Sequence, residues 1–412
     1  MTRLIATIRN GLNQPWARTA LDLTFLALAV SSLVYTVVTA PRNGIDFSNY
    51  YRETIEWVAG FSSGGISVDV YPPFAKPILS PLALFSFERA RMVWLGINLL
   101  AALTCICLVL CYFNAWPARA KYYLALLLVS WAPFRVTLRV GQLSLIITAL
   151  ILGALVARSR KRKYLAGVLL GLSLCKFTLS FPFFLYFLWK REWKSLAVTI
   201  SLMTTLTEVY AFRLGLSVVE VVRSYLALLG KLSVSTDGIW FGSTGIKPLL
   251  FWLTQGDPGA ASLLWVISFI ASLIIMAVIF ARRPQAEAVH VAILSLFALW
   301  AVYHRTYDSV LYILPVALMI DLLIQRKHVA FSVFWLAATS LLILSVPGLL
   351  TSRLGISEET LSQSVFGFVA IHLERLLTLA MFVSLSFQLW KSESFGLQTS
   401  HPRSESYGSL TI

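Results

Sequence analysis

The sequence predicts an all-α, polytopic integral membrane protein with about twelve membrane helices. Three observations predict it. The 412 residues are 58% hydrophobic, with a mean hydropathy of +0.77. Only 13% of them are charged, where a soluble domain carries roughly a quarter. Apolar runs near the ~20 residues that cross a bilayer recur along the whole length, leaving no room for a large soluble domain. The net charge of +15 would by itself suit nucleic acid. Its confinement to short loops between apolar runs is instead what the bias of Lys and Arg toward cytoplasmic loops produces. The expected partners are therefore membrane lipids and phosphate-bearing substrates, not nucleic acid.

The elements follow in order. Residues 1–18 are basic and polar and the apolar run after them is long enough to stay as a span, so no cleavable leader is expected. The first span, about 20–40, follows Arg3, Arg9 and Arg18, which places the N-terminus in the cytoplasm and the next loop, 41–91, outside. Within that loop Tyr51, Ile55 and Val58 are spaced for one helical face, suggesting a helix lying on the membrane surface. Spans are expected at about 92–113, 122–136 and 143–156. Arg158-Ser159-Arg160-Lys161-Arg162-Lys163 then marks a cytoplasmic loop. The apolar run 164–189 ends in a second basic cluster, Lys190 to Lys194. A single crossing would put one cluster outside. A short broken pair, up and back, with Lys176 at its outer turn, keeps both inside. After a span at about 195–212 comes a second outer loop, 213–259, then spans near 260–281, 287–303, 309–323, 330–346 and 365–389. The polar tail 391–412 is expected to be cytoplasmic and disordered. Cys105, Cys107, Cys111 and Cys175 all lie in apolar segments without metal-ligand spacing.

Under this topology four polar clusters share the outer face: Asp46 with Tyr50 and Tyr51; Arg139 with Gln142; Lys176; and His304 with Arg305, Tyr307 and Asp308. Charge at membrane depth is costly unless it serves a purpose. An acid among cations suits transfer from a phosphate-bearing lipid: the cations hold the phosphate and the acid takes a proton from an attacking hydroxyl. Each residue also has a plainer reading. Asp46 caps a loop, Lys176 snorkels from a helix end, Arg139 anchors at the interface, His304 ends a helix in solvent, and Asp308 caps the helix after it. Tyr71 fits an aromatic belt.

The order of these motifs resembles glycosyltransferase family 87, within the GT-C superfamily. The resemblance rests on Asp46-Phe47 with Tyr50-Tyr51 after the first span, Tyr71-Pro72-Pro73, Pro81-Leu82 and Gly141-Gln142. It continues with Ala166-Gly167 to Gly171, Lys176, Trp193, and His304 with Asp308 before Leu314-Pro315. The resemblance implies a polyprenyl-phosphate sugar donor and, from the family, mannose. It implies Asp46 as catalytic base and Lys176 and His304 as donor-phosphate contacts; Arg139 and Arg305, cations of the same outer face, are expected to join them. Tyr50, Tyr51, Tyr71, Gln142 and Asp308 are expected to bind substrate, and a lipid-linked or glycan hydroxyl to accept the sugar. No cofactor is required, although Asp46 with Asp69 leaves a divalent metal open. The expected location is the cell membrane, with both termini cytoplasmic and the active site facing the periplasm or exterior. The alternative is a transporter or lipid flippase, which would carry its polar groups near the bilayer midplane, where Glu208, Asp321, His372 and Glu374 are the candidates. A scaffold subunit is the third reading.

Overall fold

The structure is a computed structural model, which describes residues 14–61, 71–113, 116–234, 245–302, 304–343 and 365–391. Every regular element among them is helical. In chain order they are α1 Pro15–Asn43, α2 Ile45–Val58, α3 Ala75–Leu79, a 3-10 turn Ser80–Leu84, α4 Phe87–Tyr112, α5 Ala118–Ser130, α6 Ala132–Val140 and α7 Ser144–Ser159. Then come α8 Lys163–Ser173, α9 Phe177–Trp189, α10 Trp193–Leu214, α11 Val218–Val234, α12 Lys247–Leu253, α13 Pro258–Arg282 and α14 Glu287–Ala301. The 3-10 turn Thr306–Tyr312 leads into α15 Ile313–Ile324, α16 Val329–Ile343 and α17 Val365–Lys391. Asp69, Arg353, the glycine-bearing stretch 235–244 and the tail 392–412 lie outside the described residues.

Seven of these helical runs are long and apolar enough to cross a membrane, or eight if α5 and α6 count as one. Three shorter apolar helices lie beside them. The expected dozen is not confirmed by this measure. The span expected at 122–136 is bent by 46° between Ser130 and Ala132, where Trp131 is extended (φ −71°, ψ 134°) and Pro133 stands in the first turn of α6, a place where its missing N–H costs no helical bond.

By length the run Lys163–Trp189 is one span, but its contacts make it a hairpin. The Ser180 hydroxyl donates to the Ser173 carbonyl at 2.7 Å, a reach that seven residues of straight helix, about 10 Å, would not allow. Ser195 donates to the carbonyl of Lys163 at 2.8 Å and Thr199 to that of Gly167 at 2.8 Å, so α8 runs parallel to α10. Arg158 lies 3.9 Å from Glu192, bringing both basic clusters to one end. Lys176, with φ −118° and ψ 77°, breaks the helix at the tip. The close α8–α10 packing needs glycine: a Cβ on Gly167 would lie 2.4 Å from the Ser195 carbonyl oxygen, the small-residue contact by which membrane helices approach.

Two details of the first outer segment differ from expectation. Asp46 is not in a loop: α1 runs to Asn43, only Gly44 intervenes, and Asp46 stands in the first turn of α2. The face that α2 buries is Phe47, Tyr50, Glu53, Thr54 and Trp57, whereas Ile55 is exposed and Tyr51 and Val58 are half-buried. The helix is turned toward protein because Trp57 stacks on Tyr210 of α10 at 5.9 Å and Phe47 on Trp94 of α4 at 5.7 Å.

Candidate active site

Gln142 is the centre of the site. Gly141 closes α6 with φ +75°, a left-handed cap that glycine adopts without Cβ strain. A Cβ there would meet that of Phe47 at 2.7 Å, and the Trp94 indole donates to the Gly141 carbonyl at 2.7 Å. The turn therefore fits tightly between α2 and α4, and the next residue, Gln142, points beneath Asp46. Its amide oxygen accepts from Tyr50 at 2.6 Å and from Tyr71 at 3.0 Å, and the two phenols touch at 2.7 Å. With the oxygen so engaged, the amide nitrogen faces Asp46 and donates to its carboxylate at 2.9 Å.

Below Gln142 lies Lys176, only 7% exposed. Its ammonium pairs with Asp308, donates to Ser144 at 2.9 Å and to the Gln142 oxygen at 3.4 Å, and lies 4.7 Å from the centre of the Tyr307 ring. Lys176 thus does not snorkel. Asp308, 2% exposed, accepts from Ser144 and, at 3.2 Å, from the backbone N–H of Arg305, so it caps the 3-10 turn and binds the lysine together. A continuous chain results: Asp46, Gln142, Lys176, Asp308. Residues from four separate regions meet because α2, the α6–α7 turn, the hairpin tip and the 306–312 turn all reach the same end of the bundle.

At about 1.5 Å per residue, the 14 steps along α7 from Ser144 to Arg158 cover roughly 21 Å, so the site lies at the end of the bundle opposite the basic loops.

Electrostatics separate the candidates. Burial raises the Asp46 carboxyl above the ordinary range, opposed by the Gln142 hydrogen bond and by Arg305 and Lys176. The carboxylate is therefore a stronger proton acceptor than a solvated aspartate. Burial also pushes the Tyr50 and Tyr71 phenols up, so they act as donors. His304 is buried, with Nδ1 3.1 Å from the Val302 carbonyl. Burial drives its pKa down to about 4, against the pull of Asp308. It is neutral near pH 7, which corrects the expectation of a cation there. Arg305 is exposed and near enough to Asp46 to act on its carboxyl.

Two expected residues are not brought in. Arg139 sits half-buried in the last turn of α6, and no hydrogen bond or ion pair joins it to Gln142, Lys176 or Asp308. Tyr51 donates instead to the Phe85 carbonyl at 2.7 Å and packs on Phe87, fixing the 3-10 turn rather than the site. Ser144 was missed; only its place two residues after Gln142 hinted at it. Of the midplane candidates, Asp321 accepts from Trp116 and Gln325 at 2.8 Å each, Glu374 accepts from Ser309, Arg375 meets His372, and Glu208 is exposed. No group of three His, Cys, Asp or Glu among the described residues has metal-holding geometry.

The profile of glycosyltransferase family 87 matches residues 70–304. The alpha-(1->3)-arabinofuranosyltransferases of two Mycobacterium tuberculosis strains are each 25% identical over 211 residues, 48% of this chain and 48% of theirs. The chain thus spans about half the length of the curated relatives it matches. No solved structure matches it. The profile covers Tyr71, Gln142, Lys176 and His304, while Asp46, Tyr50 and Asp308 lie beyond its ends.

Proposed function

The chain belongs to glycosyltransferase family 87 and is a multi-pass membrane glycosyltransferase, and from that premise we propose that it transfers a sugar from polyprenyl phosphate to a hydroxyl of a lipid-linked or glycan acceptor, with Asp46 as general base. The observation that carries this reading is the hydrogen-bonded chain from Asp46 through Gln142 to Lys176 and Asp308. It places a basic carboxylate and a cation on two sides of one amide.

The step is a single inverting displacement. The acceptor oxygen bonds to the anomeric carbon as the bond from that carbon to the phosphate oxygen breaks. The acceptor proton passes to the Asp46 carboxylate, and polyprenyl phosphate leaves with the electron pair. Arg305 meets the phosphate. Lys176, already balanced by Asp308, stabilises the charge that builds on the leaving oxygen. His304 serves as a neutral hydrogen-bonding group, and Tyr50 and Tyr71 hold Gln142 so that Asp46 keeps its direction. The basic end is cytoplasmic under the charge bias of the loops, so the site faces the periplasm or exterior and both termini face the cytoplasm.

Family resemblance suggests mannose. The name of the relatives brings in arabinofuranose as a second reading, and both donors belong in one assay. Transfer of radiolabel from each polyprenyl-phosphate sugar is measured in vesicles. Asp46→Asn abolishes transfer while leaving expression and folding intact; full activity of that variant removes Asp46 as the base. Flux of an intact substrate with no transfer would replace the enzyme by a transporter.

A further inference from the structure

The end of the bundle opposite the site carries a second charged feature that transfer does not use. Three loops far apart in sequence meet there: 158–163, 190–194 and 282–287. Arg158 pairs with Glu287 and lies 3.9 Å from Glu192, and Lys190 donates to the Pro284 carbonyl at 3.1 Å. Together the loops hold ten Lys and Arg against two acids, and both acids are drawn to the half-buried Arg158. Arg160, Lys161, Arg162, Lys163, Arg191, Lys194 and Arg282 are exposed. The hairpin doubles this density, since a straight α8–α9 helix would send 190–194 to the far side.

Backbone geometry adds a second observation. Lys161 and Arg191 close α7 and α9 with φ +59° and +55°. Glycine or asparagine occupies such left-handed caps at lower cost. At both turns a cation stands where its Cβ is disfavoured. Exposed Tyr164, Trp189 and Trp193 flank the cations, at the positions where aromatic rings settle between headgroup and hydrocarbon.

We infer that the cations of 160–163, 191–194 and Arg282 form a docking surface for anionic phospholipid headgroups of the adjoining leaflet, the cytoplasmic one under the orientation proposed above. Charge complementarity selects this occupant: exposed guanidinium and ammonium groups gather at one end of the apolar helices, and polybasic segments beside membrane spans draw acidic lipid. The inference does not depend on which sugar is moved or on Asp46.

Wild-type protein is reconstituted in mixed phosphatidylcholine and phosphatidylglycerol bilayers, and association with spin-labelled forms of each lipid is measured at the protein boundary. The expected result is a several-fold preference for phosphatidylglycerol that shrinks with added salt. In a first variant Arg160, Lys161, Arg162 and Lys163 become Gln; removing them also weakens the topology signal. A second, Arg191→Gln with Lys194→Gln and Arg282→Gln, leaves that loop intact, and cysteine accessibility verifies its insertion. The second variant loses at least half of the preference while Asp46-dependent transfer persists. Equal association of both lipids with wild type, an undiminished preference in the correctly inserted variant, or displacement of the lipid by soluble polyglutamate at physiological salt would each overturn the inference.

Discussion

Lys176 and Lys76 present the same chemistry in two places. Each is a lysine less than a tenth exposed, 7% and 3%, and each meets a buried carboxylate, Asp308 at 2% and Glu53 at 5%. They differ in what lies beyond the pair. The Lys176 ammonium continues to Ser144, Gln142 and, through Gln142, to the half-buried Asp46. Lys76 fastens α3 under α2, and among the described residues the bonds of Gln142 and Asp46 run to Tyr50, Tyr71, Leu143 and Lys176 instead. Burial of an ion pair is thus not a mark of function. A buried pair often contributes little net stability against apolar residues of similar volume, so either could persist as a clamp. Connection to a half-exposed proton acceptor is what sets the first apart.

The largest effect that would break this comparison is on transfer. Lys176→Met lowers the rate by about 10²–10³-fold, the usual loss on removing one preorganised charge from a developing anion. Lys176→Met with Asp308→Leu removes the stranded carboxylate and stays inactive. Equal activity of this double variant and wild type would make Lys176 a clamp like Lys76. The next effect is on stability. Lys76→Met removes the ammonium that pairs with buried Glu53, costing about 3–5 kcal/mol. Lys76→Met with Glu53→Leu recovers most of it and keeps transfer within a few-fold of wild type, read by thermal unfolding in detergent and by the vesicle assay. Loss of transfer in a stable double variant would give this pair a role in the site.

Much of this was legible in the sequence, for reasons that differ by residue. Spans and hairpin announce themselves locally: apolar runs of membrane length, and two basic clusters that cannot sit on opposite sides of one short run. Asp46, Lys176 and Asp308 were legible because charge in an apolar chain is conspicuous. Their bonding was not. Ser144 and Asp308 are 164 residues apart, and Glu53 and Lys76 are 23 apart across different helices; helical periodicity carries no information at either separation. The buried face of α2 was misjudged because its apolar spacing describes one stripe, while Glu53 and Thr54 enter the protein through tertiary partners. Arg139 was placed in the site by proximity in sequence to Gln142, yet the left-handed turn at Gly141 sends the two in different directions.

Ser144 sharpens the comparison at smaller scale. It bonds both members of the functional pair. Ser144→Ala deprives a buried charged group of one hydrogen bond, worth about 1.5–3 kcal/mol when the partner is ionised. Part of that falls on stability and part on transfer. The expected signature is a reduced rate with Asp46 still titrating as in wild type. A change in rate without any change in melting temperature would place Ser144 against substrate.

The smallest effect concerns Asp46, and its sign distinguishes a base held ready from an ordinary cap. Burial raises this carboxyl above its unfolded value, so the folded protein binds the proton more tightly than the unfolded chain does. The stabilisation from the protonated form is full below the unfolded pKa, near ~3.9 for an aspartate, and is lost as pH rises through the raised folded value. At neutral pH the ionised carboxylate is therefore a small net cost to the fold. Transfer has the opposite demand, since a base must be ionised: its rate falls as pH drops through the raised value, placing the acidic limb above that of a solvated aspartate. Asp46→Asn separates the two. It removes transfer, and at neutral pH its melting temperature equals or slightly exceeds that of wild type, a margin that vanishes as the medium is acidified. A cap serving only the helix would behave in the reverse way, because a carboxylate near a helix N-terminus stabilises when ionised; a lower melting temperature for Asp46→Asn at neutral pH would assign it that role.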